Sequence, residues 1–158
     1  MPSMPEAGPV MSDGTLADRP AQQTAAAWPL MSHLELGALP TCVGSARKHA
    51  RAVTQEFGLS ALADSVELVV SEIVTNAVRA ATSLLDDNLA IPVIHLWLAS
   101  DLECALIRVW DSSDQPPILK YAGPDDDSGR GLMLVNSVAS EWGTYKCTNG
   151  KVVWAIIG

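Results

Sequence analysis

Residues 61–82, ALADSVELVVSEIVTNAVRAAT, restrict the fold more than any other stretch. Leu62, Val66, Val69, Ile73, Ala77 and Ala80 recur at intervals of three and four, which places them on one stripe of a helix turning about 100° per residue. Such a stripe has to be buried against another layer. Ser60 stands just ahead of it as an N-cap candidate. On the same wheel Glu72 and Asn76 fall about 40° apart at the border of the stripe, with Ser65 and Arg79 in the same column. A carboxylate at that rim loses hydration unless it meets a cation, water or metal. Taken alone, the pair is also compatible with an ordinary polar edge, with Glu72 serving only helix propensity.

The elements around this helix alternate in period. PLMSHLEL has strand character, and CVGSARKHARAVTQEFG repeats apolar residues at Val43, Ala46, Ala50, Val53 and Phe57 before Gly58 ends the helix. IPVIHLWLA and CALIRVWD are strand-like runs joined by the short polar link 100–103, a hairpin arrangement. SSDQPPILKYAGPDDDSG has the composition of a loop, RGLMLVNSVASEW that of a helix, and GTYKC and VVWAII that of strands around TNGK, with Asn149-Gly150 as the turn signal. The order βααββαββ, without internal repeats, predicts an α/β (α+β) two-layer sandwich with a mixed, mostly antiparallel sheet and helices on one face. Residues 1–27 are rich in Pro, Gly, Ala and small polar residues and lack either period, so we expect a disordered tail followed by one domain over 28–158.

Charge narrows the partners. The net charge is −8 with only ten Lys and Arg, and the sequence pI is near 4.6. Phosphate-backbone binding relies on clustered cations, so nucleic acid is not an expected partner; nor is an anionic membrane surface. Cys42, Cys104 and Cys147 have neither metal-ligand spacing nor an even count, as expected of free thiols in a reducing compartment. No basic region followed by an apolar segment opens the chain, and no apolar run reaches the roughly 20 residues of a spanning helix, so a cytoplasmic location is expected.

Two further stretches could carry chemistry. In VWDSSDQPP an apolar strand ends in Asp111, placed to accept hydrogen bonds from a ligand over the sheet end, although taken alone an Asp there more often forms a turn. In DSGRGLMLV, Gly129 and Gly131 flank Arg130 at the start of a helix, where backbone N–H groups and the helix terminus favour an anion such as phosphate. The Rossmann pattern fails because Leu134 stands where its third Gly would be, and NGKV lacks the other P-loop residues.

In order and spacing, E-x-x-x-N, a strand ending in D-x-S-x-x-x-P, G-R-G-L-x-L-V and the final GKVVWAII resemble the histidine-kinase-like ATPase family. More narrowly they resemble the bacterial anti-sigma-factor serine/threonine kinases of the actinobacterial type, from about Leu34 to the carboxyl end. The resemblance implies a Bergerat-type ATP-binding fold. It assigns Glu72 as the catalytic base toward an attacking hydroxyl, Asn76 as the magnesium (Mg2+) ligand, and Asp111 as acceptor of the adenine amino group. Gly129, Arg130 and Gly131 would wrap the phosphates, with Ser113 and Leu132 completing the nucleotide-binding set. The implied cofactors are ATP and Mg2+. The implied partners are a sigma factor and an anti-sigma-factor antagonist, the latter being the phosphorylated substrate, and a homodimer is possible.

Three positions depart from the family pattern. Ala80 stands where relatives carry His in N-A-x-x-H, Ser113 replaces a common Gly, and Val152 occupies the expected place of a Thr in GKTVW, where it has no hydrogen bond to give. Each lost contact is worth about 0.5–1.5 kcal/mol. The competing expectation is therefore a non-catalytic or weakly nucleotide-binding interaction module of the same fold. Asp125 to Asp127 would form a solvated tip of the loop over the site.

Overall fold

The computed structural model describes residues 27–83, 90–115 and 130–158. Its elements are β1 (Leu30–Gly37), α1 (Cys42–Glu56), a 3-10 turn (Ser60–Leu62), α2 (Ala63–Thr82), β2 (Val93–Ser100), β3 (Ala105–Asp111), α3 (Arg130–Val138), β4 (Glu141–Cys147) and β5 (Gly150–Ile157). This is the expected βααββαββ order. The strands form one sheet in the order β1-β2-β3-β5-β4. All four strand pairs are antiparallel, so among the described residues the sheet has no parallel pair and is simpler than the mixed sheet expected.

Alternation along the strands separates two apolar clusters. Ile94, Leu96 and Leu98 of β2, Ile107 and Val109 of β3, and Val153, Ala155 and Ile157 of β5 join residues of α1 and α2 in the larger core. The intervening residues Ala99, Leu106, Val152 and Trp154 pack with Trp28 and Tyr145 on the other face. The fold is thus a helix layer on one side of a sheet, an α+β two-layer architecture.

Helix α2 lies at the centre of that layer, against α1, α3 and the sheet. Its buried residues are Ala63, Val66, Val69, Val70, Ile73, Val74, Ala77, Val78 and Ala81. The single stripe expected from the sequence is too narrow. Neighbours on three sides draw in Val70, Val74, Val78 and Ala81, while Ala80 stays half-buried. Ser60 is not the N-cap either: it opens the 3-10 turn, and Leu62, at the cap position of α2, makes no side-chain capping bond. On the outer surface Arg51 bridges Glu67 at 2.5 Å and Asp64 at 2.5 Å, linking α1 to α2.

The two hairpins solve their turns differently. Between β2 and β3, Leu102 adopts φ 82°, supported by its N–H donating to Ser100 Oγ at 2.9 Å. Asp101 Oδ1 accepts from the N–H groups of Glu103 and Cys104. Between β4 and β5, Cys147 pairs with Gly150, so the turn residues are Thr148 and Asn149 rather than the expected Asn149-Gly150. Gly150 is the first residue of β5, where a Cβ would overlap the backbone carbonyl of Asp111. Close approach, not a left-handed turn, is what that glycine permits.

The tail expected over 1–27 lies, Ala27 apart, outside the described residues, as do Asp125 to Asp127. All three cysteines are free thiols, with Cys42 buried. Among the described residues no helix is long and apolar enough to cross a membrane.

Candidate functional site

Asp111 is the last residue of β3, and its place in the alternation turns its side chain to the helix-bearing face of the sheet, where it is 1% exposed. Oδ1 accepts two hydrogen bonds, from the Ser113 N–H at 2.8 Å and from Lys151 Nζ at 2.8 Å. Oδ2 is buried and has no partner among the described residues. A buried carboxylate oxygen without a donor is costly, and a ligand N–H is the group that would satisfy it. Burial pushes the Asp111 carboxyl above the usual carboxylate range, opposed by the hydrogen bond and charge of Lys151 and by the Ser113 N–H.

Ser113 holds this acid in place. It is buried, gives its N–H to Asp111, and receives the Gln115 N–H on Oγ at 3.2 Å. Ser113 thus ties Asp111 to the start of the following loop through its N–H and its Oγ.

Glu72 and Asn76 share the border of α2 as expected, and both are half-buried. Among the described residues neither side chain has a hydrogen bond or ion pair. Glu72 meets the start of α3: a Cβ on Gly131 would collide with Glu72 Oε2. The absence of a side chain at 131 therefore lets the glycine backbone and the carboxylate come together. Leu132 sends its side chain into the protein, 4% exposed. What it can offer an anion is its backbone N–H, one of the first four of α3 and so without an intrahelical acceptor. Arg130 is the first residue of α3, and Gly129 lies outside the described residues.

Val152 corrects an expectation. Its side chain is fully buried on the far face of the sheet, in the cluster with Trp154 and Tyr145. A Thr there would not reach the helix-facing side, so the Val costs the site no contact. The side chain beside Asp111 is that of Lys151, its direct partner in the β3–β5 register and 4% exposed. Sequence reasoning missed it. The signal was strand parity: Lys151 shares a face with Val153, Ala155 and Ile157, whereas Val152 shares one with Trp154.

The half-buried Ala80 puts only a methyl group where the family pattern has a His. Among the described residues no group of three or more His, Cys, Asp or Glu could hold a metal ion. Asn76 offers one amide oxygen, which suits a hard divalent cation that takes most of its oxygen ligands from phosphate and water.

The α+β sandwich thus holds a sheet-end acid with an acceptor oxygen open among the described residues, facing a helix layer that carries an acid and an amide, the acid beside a glycine at a helix start. The histidine kinase-like ATPase domain model matches residues 36–157, and the chain belongs to that family. ATP binding is the function this membership carries. No match was found among curated proteins.

Proposed function

We propose that the chain is an anti-sigma-factor serine/threonine kinase that transfers a phosphoryl group from Mg-ATP to a hydroxyl of an antagonist protein. The observation that carries the nucleotide part is Asp111 Oδ2, a buried acceptor on the helix-facing side of the sheet with no donor among the described residues. The kinase part is supported by the ordered motifs around Glu72, Asn76, Asp111 and Gly131, and by Glu72, beside the start of α3, having no hydrogen bond or ion pair among the described residues.

In this reading Asp111 accepts from the adenine amino group. The Gly131 and Leu132 N–H groups at the start of α3 would face the phosphates, and the motif gives Gly129 and Arg130 the same role. Asn76 would hold the magnesium ion. ATP supplies the phosphoryl group and Mg2+ neutralises its charge. Glu72 orients the acceptor hydroxyl and takes its proton, which needs an unpaired carboxylate within reach. Gly131 keeps that carboxylate accessible, because any side chain there would displace it.

Calorimetric titration with ATP and ADP, with and without magnesium, tests the site. Magnesium-dependent binding is expected, together with phosphorylation of a co-purified partner at Ser or Thr. Absence of binding at millimolar nucleotide would leave a protein-interaction module of the same fold. Binding without transfer to any partner would remove the kinase assignment alone.

A further inference from the structure

We propose that Lys151 is a base-reading residue, whose ammonium donates to N1 of adenine while Asp111 Oδ2 accepts from the neighbouring amino group. This rests on the ATP reading above and deepens it.

The argument starts from the β3–β5 register. Asp111 and Lys151 are direct partners across antiparallel strands, and both face the helix layer. Lysine is almost never buried unless paired, and here Nζ lies 2.8 Å from Asp111 Oδ1 with the side chain 4% exposed. An ammonium has three N–H donors. The contact to Oδ1 uses one of them, and among the described residues Lys151 has no other hydrogen-bond acceptor. The acid is likewise half used: Oδ1 holds two donors and Oδ2 none. At the end of the sheet, a free acceptor and spare donors therefore stand side by side.

An adjacent acceptor and donor are the complement of one edge of adenine, where the exocyclic amino group donates and ring N1 accepts. Guanine in the same pose would set O6 against Asp111 Oδ2 and its N1–H against the ammonium, two like-with-like contacts. Each leaves a buried polar group unsatisfied, the arrangement that discriminates most strongly between ligands. A Thr or a water can reverse its donor and acceptor sense at such a position, but an ammonium can only donate. Simple neutralisation of Asp111 would explain the ion pair, yet it makes no demand on N1 of the ligand, which separates the two roles.

The test is calorimetry on the full chain with magnesium, using ATP and 1-deaza-ATP, which keeps the amino group but has C–H in place of N1. The wild type is expected to bind 1-deaza-ATP roughly ten- to hundred-fold more weakly, as for loss of a hydrogen bond to a charged group. Lys151→Met should bind ATP about that much more weakly than the wild type and no longer distinguish the two nucleotides. Equal binding of both by the wild type, or full discrimination retained in Lys151→Met, overturns the proposal while leaving the ATP site intact. A wild type that binds neither nucleotide overturns the ATP reading and this one together. If Lys151→Met does not fold, ATP labelled with 15N at N1 and bound to the wild type reads the same contact. A shift of N1 with coupling to a lysine ammonium is expected, and an N1 bonded only to water overturns the assignment.

Discussion

Single residues decide whether this site can work, and the pair Asp111–Lys151 shows how. The Asp111→Ala variant leaves the Lys151 ammonium buried without its carboxylate. Breaking a buried pair from one side costs about 3–5 kcal/mol, so a matching loss is expected in urea unfolding, well beyond the effect of a surface substitution. Gly131→Ala acts at the other end of the site. Its methyl meets Glu72 Oε2, the far end of a flexible side chain, so the carboxylate swings aside at little cost in stability but leaves its place beside the start of α3. We expect phosphoryl transfer to fall more than ATP affinity, measured as a drop in kcat with a smaller change in KM. Glu72, Asn76 and Asp111 were legible in the sequence because a polar residue on the border of an apolar stripe, or at the end of an apolar strand, is conspicuous. Lys151 was not. Lysine next to Asn-Gly has the appearance of a solvated turn residue, and only the register places it under the helix layer.

At the scale of elements, α2 is both the centre of the core and the carrier of Glu72 and Asn76. Ile73 lies between them in sequence and is 1% exposed. Ile73→Ala should cost about 2–5 kcal/mol by chemical denaturation, through lost burial and the cavity left behind. If the remaining folded fraction is stabilised by ligand, saturating ATP should recover part of that loss, since a ligand binding only the native state adds to its stability. Strand and helix identities were readable because periods of 2 and 3.6 differ over a few residues. The boundaries were less so. Asn149-Gly150 looks like a turn, but Gly150 is spent on the approach to Asp111, which shifts the turn to Thr148 and Asn149. Nothing local in the sequence records that a distant strand end will pass so close. The width of the buried stripe on α2 was missed for a similar reason: it is set by α1 and α3, which periodicity within one helix cannot represent.

For the whole molecule, the order of elements gave the layer architecture, whereas the pairing of β3 with β5 is long-range and came only from the structure. That pairing assembles the acid–lysine site, and the β1–β2 pairing assembles a second group of titratable side chains. His33 Nε2 lies 2.9 Å from His95 Nδ1 across the sheet, so one ring must donate and the other accept, and at least one is neutral. His33 is held below the usual histidine range by burial and by His95, with Glu35 opposing. His49, bonded to Ser32 Oγ at 3.1 Å, is lowered by burial, with Glu56 opposing. A folded-state value below the unfolded one means that the unfolded chain binds protons first as pH falls. The stability contributed by both histidines is therefore complete above the ordinary value of about 6.5 and is lost as pH falls through the folded values. Asp111 acts with the opposite sign: its raised folded-state value favours the native state below the ordinary carboxylate value and loses that contribution as pH rises through the folded one. Substitution separates the two. The melting temperature of the wild type should fall between pH 7.5 and 5.5, and the double variant His33→Gln/His49→Gln should fall less over the same interval. An equal fall in both proteins would place the acid sensitivity elsewhere, whereas a shallower slope in the variant ties it to His33 of β1 and His49 of α1.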